Sequence, residues 1–315
     1  MTLGEWVSNA RYYAAHRGPL GAAKLSAAEL VTGGLRRLDP YLPPRGTNVY
    51  DREWDLLVVM DTCRVDALRA VAPEYDFLPA PEEVGWMRSV GSKTHEWMRK
   101  TFTDAYAAEM AGTAFVTFNP NSADVLDPAD FLYLAEVWRT DWDAERGGVP
   151  PRPVTDRAVA AGREFDPDRL VAHYKQPHAP YPEIEGFDAT NPFDATENDR
   201  SGVFGALIEG ELTMERAWNG YLDHLRWGLD DVELLLENVD AERVAVTADH
   251  GECFGEWGLY GHHEAVPVPE LVRVPWVETT ATDGGGYEPD VDLSATQADA
   301  GPSVEEKLRA LGYRT

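Results

Sequence analysis

Two rhythms of apolar and polar positions run along the chain. Trp54-Asp55-Leu56-Leu57-Val58-Val59-Met60 is a short apolar run that stops at polar Asp61. Such a run, without alternation, predicts a strand buried on both faces, as in a parallel sheet. A helix is predicted at Val65–Val71, and further strands at Thr113–Phe118, Leu170–Tyr174, Arg243–Ala248 and Val272–Val277. Between them the period changes. Over Glu209–Val239, Trp218, Tyr221, Leu222, Leu225, Leu229, Val232 and Leu236 fall on one helical stripe. Strands alternating with helices predict an α/β domain: a three-layer sandwich with a mostly parallel central sheet and helices on both faces. In such sheets ligands bind at the carboxyl ends of the strands. No internal repeat is present.

The ends of the chain follow other patterns. Leu3, Trp6, Val7, Ala10 and Tyr13 recur at helical spacing, and Leu20, Leu25, Leu30 and Leu35 continue the apolar character after Gly18-Pro19. Residues 1–46 therefore form an expected segment of two amphipathic helices, either a brace across the main domain or a surface for a membrane or partner. Residues 47–278 hold the α/β domain. Residues 279–315 are expected as a flexible tether, rich in Thr, Asp, Gly and Ala, leading to a helix over Ser303–Leu311 that Ser303 caps and Gly312 stops.

Charge changes the picture more than length does. The chain has 28 Lys plus Arg against 55 Asp plus Glu, a net charge of −27, and 43% hydrophobic residues. That apolar fraction supports a packed core, so disorder is excluded, and the negative exterior disfavours nucleic acid. Only 5 of the basic residues are Lys, and acid excess with Lys depletion fits a halophilic protein in concentrated salt, where screening acts over about 3 Å. Against this background residues 1–40 stand out, since Arg11, Arg17, Lys24, Arg36 and Arg37 exceed Glu5, Glu29 and Asp39. Cys63 and Cys253 are too few for a disulfide framework and read as reduced core thiols. With no leader-like apolar region and no run near 18 apolar residues, the expectation is a cytoplasmic chain without a transmembrane segment, peripheral at the membrane if its first helices meet lipid.

The candidate chemistry collects at strand ends. Thr247-Ala-Asp249-His250-Gly251-Glu252 closes an apolar strand, and an adjacent Asp and His there can face one cation as the chain turns at Gly251. Asp61 ends the first strand; alone it reads as a helix cap, and with Asp249 and His250 as a third ligand. Ser89-Val-Gly91-Ser92-Lys93-Thr94 opens a helix where hydroxyls and unpaired N–H groups suit phosphate or sulfate, although the spacing is not that of a nucleotide P-loop. His173-Tyr-Lys175-Gln-Pro-His178-Ala-Pro180-Tyr181 is a stiff loop that would carry cationic groups to an anion.

In this order the four pieces resemble the alkaline phosphatase and sulfatase superfamily. The resemblance is carried by Val58-Val-Met-Asp61-Thr-Cys-Arg64-Val-Asp66-Ala-Leu68, by Gln176-Pro-His178-Ala-Pro-Tyr181, and by Val246-Thr-Ala-Asp249-His250-Gly-Glu252 with Gly261-His262. It implies one divalent metal (Mn, Zn, Mg or Ca) held by Asp61, Asp249 and His250. Thr94 would complete the shell as nucleophile, with Ser92 as the alternate, because Gly91-Ser-Lys-Thr94 looks like the nucleophile loop of lipoteichoic acid synthases. It further implies that His178 contacts substrate or protonates the leaving group, that His262 completes the anion site, and that Lys93, Lys175 and Arg64 bind the substrate's charge. Gln176 and Pro177 stand where two-metal members place another Asp, so a second metal site is not expected. The C/S-x-P-x-R motif that becomes formylglycine is absent around Cys63, Ser92 and Thr94. The implied activity is therefore hydrolysis or transfer of a small, glycan-linked or lipid-linked phosphate ester through a covalent Thr or Ser intermediate. Sulfate ester hydrolysis and a catalytically silent, anion-binding or glycan-binding member are the alternatives.

Overall fold

The computed structural model describes residues 3–41, 45–182, 184, 202–293 and 303–311. Its strands are β1 (Leu56–Met60), β2 (Gly85–Arg88), β3 (Thr113–Thr117), β4 (Tyr133–Glu136), β5 (Arg169–Tyr174), β6 (Ala241–Thr247), β7 (Cys253–Phe254), β8 (Tyr260–Gly261) and β9 (Arg273–Ala281). The helices are α1 (Leu3–Leu38), α2 (Val65–Val71), α3 (Thr94–Thr101), α4 (Ala107–Ala111), α5 (Ser122–Val125), α6 (Arg152–Phe165), α7 (Gly202–Glu209), α8 (Met214–Leu236), α9 (Pro269–Val272) and α10 (Val304–Ala310). Seven strands form the main sheet in the order β2-β9-β6-β1-β5-β3-β4. β6, β1, β5, β3 and β4 run parallel, whereas β9 and β2 are antiparallel at one edge.

Every residue of β1 and β3 is buried. Since successive side chains of a strand point to opposite faces, both faces of the sheet are covered. This is an α/β fold with a mostly parallel central sheet and helices around it. The short edges β2 and β4 and the helix α6 have no counterpart among the expected elements; β2 has only 4 residues, of which Met87 alone is buried, too little pattern to read. The helix expected over Glu209–Val239 is α8, which carries the whole stripe but starts later: α7 ends at Glu209, Gly210 takes φ 82°, and Thr213 caps α8 through Arg216 N. Lys307 of α10 is fully buried, its ammonium 5.3 Å from the Trp138 ring. β9 extends to Ala281, so the first residues of the expected tether are strand. Residues 294–302 of that tether and the Gly312 stop lie outside the described residues.

The amino-terminal segment breaks at Gly18, whose φ of 69° interrupts the helical backbone before Pro19. Its two halves fold back on each other, with Trp6 Nε1 donating to Ser26 O at 3.0 Å and Tyr13 OH to Glu29 Oε1 at 2.8 Å. The hairpin sits on α7, where Tyr13, Ala22 and Leu25 pack with Ile208 and Arg17 bonds Leu207 O.

One contact governs the turn after β1. Thr62 adopts φ 67°, a left-handed conformation costly for a branched residue. Tyr221 of α8, fully buried, donates to Thr62 O at 2.7 Å and accepts from Arg64 N at 3.0 Å. Tyr221→Phe strands both backbone groups and is expected to lower stability by about 1–3 kcal/mol, read as a lower denaturation midpoint at unchanged m-value.

Candidate active site

The carboxyl ends of four neighbouring parallel strands converge. Asp61 follows β1, His173 lies at the end of β5, Asn119 follows β3, and Asp249-His250 follow β6; all are buried. Asp61, His173 and Asp249 each offer a ligand atom, and these atoms lie within 4.8 Å of one another. His250 Nε2 is 3.3 Å from Asp249 Oδ2 and 3.7 Å from Asp61 Oδ1. Its Nδ1 faces Gly251 O at 2.8 Å, which fixes that nitrogen as the N–H donor and turns Nε2 inward as a lone pair.

Two buried carboxylates this close are costly unless a cation joins them. His173 is no such cation. Burial drives the His173 pKa from 6.5 down to about 4. The Asp249 Oδ2 and His173 Nε2 atoms are buried without a hydrogen-bond partner, whereas Asp249 Oδ1 accepts from Thr62 N at 3.2 Å and His250 N at 2.8 Å. Oriented, desolvated oxygen and nitrogen lone pairs of this kind fit a divalent metal.

Thr94, the first residue of α3, places its hydroxyl in this cluster. Oγ1 donates to Asp61 Oδ2 at 3.2 Å and lies 3.1 Å from His250 Nε2. Asn119 Nδ2 donates to the same Asp61 oxygen at 3.1 Å. The loop before Thr94 is bolted from behind: buried Glu96 accepts from Ser92 N at 2.9 Å, Ser92 Oγ at 3.0 Å and Ala265 N at 3.1 Å, and pairs with Lys100. Burial raises the Glu96 pKa and the Lys100 and backbone bonds outweigh it, so the net shift is downward. Ser89 ties the loop to the end of β6 by donating to Asp249 O.

Ser92 therefore faces away from the cluster, its hydroxyl also bonded to His263 O at 2.8 Å and Val266 N at 3.0 Å. Lys175 and Arg64 also point elsewhere. The Lys175 ammonium is buried against His178 O at 2.7 Å and His224 Nε2 at 3.3 Å. The Arg64 guanidinium is held by Asp66, Glu256 and Glu252 O, each at 2.7–3.0 Å. Lys93 is half-buried beside Thr94. His262 and His178 do border the cluster: the His262 ring centre is 4.6 Å from that of His250 and 4.9 Å from that of His178. Buried Glu252 holds His262 Nδ1 at 3.0 Å. Burial, with Lys175 beside His178 and His250 beside His262, holds both well below the ordinary histidine range. Cys63 and Cys253 are buried, and burial pushes both thiols up, away from thiolate chemistry.

Asn119 was not among the expected site residues, and His173 was expected only as a cationic group facing an anion, not as a member of the ligand cluster. Asn119 obeys the same rule as Asp61, a polar residue directly after an apolar strand, but Asn119-Pro120 reads as a turn. His173 sits inside its strand between Ala172 and Tyr174, where no pattern separates a ligand from core.

No family model matches the chain, and no curated protein matches it. Solved structures similar to it include the integral membrane lipooligosaccharide phosphoethanolamine transferase A from Neisseria meningitidis, at TM-score 0.48 and 14% identity over 84% of this chain and 57% of that one. The zinc complex of the C-terminal periplasmic domain of EcEptC from Escherichia coli has TM-score 0.46 and 17% identity over 77% of this chain and 78% of that one. A protein in the alkaline phosphatase superfamily from Vibrio parahaemolyticus has TM-score 0.40 and 14% identity over 73% of this chain and 60% of that one. No helix among the described residues is long and apolar enough to cross a membrane.

The cluster predicts metal-linked stability. Saturating divalent cation is expected to raise Tm by several degrees, since a ligand at 100 times its Kd adds about 2.7 kcal/mol. A chelator reverses the shift, and Asp249→Asn abolishes it. In the metal-free protein, His173 adds acid sensitivity. Between pH 6.5 and about 4 the unfolded chain takes up a proton that the folded site refuses. Stability is thus full above pH 6.5 and falls with pH to about 4, by about 3 kcal/mol from this group, measurable as denaturation midpoints across that range.

Proposed function

We propose that the chain is a metal-dependent transferase or hydrolase of phosphate esters that works through a covalent intermediate on Thr94. The observation that carries this reading is the Thr94 hydroxyl itself, fully buried and 3.1–3.2 Å from both His250 Nε2 and Asp61 Oδ2 in a cluster fitted for a cation. Asp61, Asp249 and His250, with His173 from the neighbouring strand, would hold one divalent metal. When bound, it would neutralise the two carboxylates and acidify the hydroxyl.

Thr94 Oγ1 attacks phosphorus, its proton passing to a neighbouring acceptor, and the bond to the leaving alkoxide breaks. His262, braced by Glu252, and His178 border the cluster, and as neutral imidazoles they are assigned to relay a proton from water to the leaving oxygen. Water or an acceptor alcohol then takes the phosphoryl group, and Thr94 recovers its proton. The absence of the formylglycine motif favours phosphate over sulfate.

Paired assays with an aryl phosphate, an aryl phosphodiester and an aryl sulfate test the assignment. Phosphate ester turnover is expected to exceed sulfate turnover, Thr94→Ala is expected to lower kcat roughly a thousandfold or more, and Ser92→Ala to leave a phosphoryl adduct detectable by intact mass. Dominant sulfate turnover would make the protein a sulfatase. No turnover, with anion binding insensitive to Thr94→Ala, would make it a binding protein.

A further inference from the structure

The edge of the sheet beside the nucleophile loop carries a cationic arrangement that the reaction does not use. β2 is the edge strand, and its Arg88 stands directly opposite Arg273 across the antiparallel ladder. Like charges at such a position are unfavourable. Arg45 adds a third guanidinium: burial, together with Arg45 and Arg273, pulls the Arg88 pKa down. Among the described residues no carboxylate pairs with Arg45, Arg88 or Arg273. Elsewhere Arg152, Arg163, Arg226 and Arg243 each hold an acidic partner.

Exposed apolar side chains adjoin the arginines. Trp86, two residues before Arg88 on the same strand, is 51% exposed, with the Arg273 guanidinium 4.8 Å from its ring centre. Leu35 and Asp39 line a cavity of about 30 Å³ together with Arg45 and Arg88, which seats the end of α1 against this edge. There Leu38 is 57% and Tyr41 85% exposed. Guanidinium groups beside Trp, Tyr and Leu match the interfacial layer of a bilayer, where cations meet lipid phosphates and amphipathic rings enter the headgroup boundary. A soluble polyanion would use the arginines and leave the apolar side chains in water.

We propose that Arg45, Arg88 and Arg273, with Trp86, Leu38 and Tyr41, dock the protein on an anionic lipid bilayer. Arg88 directly precedes Ser89, which is bonded to Asp249 O, so the docked face adjoins the loop that carries Thr94. If the phosphate-ester reading above is right, docking directs that site toward lipid-linked esters. The docking itself does not depend on that reading.

Sedimentation of the full chain with vesicles tests it. Vesicles of equimolar phosphatidylglycerol and phosphatidylcholine are expected to retain the protein, and pure phosphatidylcholine to retain little. The Arg88→Ser/Arg273→Ser double variant and, separately, Trp86→Ser are expected to weaken retention roughly tenfold or more, with Arg309→Ser as a surface control and unchanged circular dichroism melts showing intact folds. Equal retention by both vesicles, no retention, or retention indifferent to all three substitutions overturns the proposal. Inorganic phosphate that stabilises the wild type but not the double variant, without vesicle binding, also overturns it and assigns the arginines to a free anion. Thr94→Ala is expected to bind vesicles as the wild type does, so failure of docking and failure of the enzymatic assignment are read independently.

Discussion

Everything at the carboxyl end of the sheet answers to one electrostatic constraint: Asp61 and Asp249, both fully buried, face one another across β1 and β6, and burial keeps the neighbouring His173 from supplying a compensating charge. Buried as they are, the two carboxylates are beyond the reach of bulk water. Their neighbours supply partial positive charge instead, from Thr62 N, His250 N and the Asn119 amide. What those dipoles leave unanswered is a concave set of lone pairs, and the rest of the site is built to keep that set open: the strained Thr62 turn, the Tyr221 anchor and the Glu96 bolt.

The loop around Thr94 shows how local chemistry selects one hydroxyl from three. Ser89 and Ser92 lie close in sequence to Thr94, but each spends its hydroxyl on backbone: Ser89 on Asp249 O, Ser92 on His263 O and Val266 N. Glu96 lies four residues after Ser92 and captures it on the outer face, which leaves the inward position to Thr94. The two serines are fasteners, and their bonds hold the loop against the strand that carries Asp249 and His250.

How far the sequence could be read depended on burial. The central strands were legible because burial on both faces demands unbroken apolar runs, and Asp61 and Asp249 because a carboxylate ending such a run is conspicuous. Edge strands escaped notice: Gly85–Arg88 is half solvent-exposed and carries Trp86 and Arg88 outward. His173 is marked by the sequence only as a cationic group at a strand end, because nothing local shows that burial keeps it neutral and turns it toward the carboxylates. The loop composition pointed to a hydroxyl without distinguishing Ser92 from Thr94, since the Glu96 contact that separates them depends on where α3 begins. Lys175 and Arg64 lie in the right segments, yet their charges are consumed by His178 O and by Asp66 and Glu256, partners set by tertiary packing.

Lysine is scarce in this chain, and the fold withdraws most of what there is. Lys175 and Lys307 are sealed in the interior, and Lys100 is tied to Glu96 and Asp39. Of the remaining two, Lys24 is exposed and Lys93 half-buried. Amine-directed reagents such as acylating dyes or cross-linkers thus have almost no surface to react with, and one of their two principal targets adjoins Thr94.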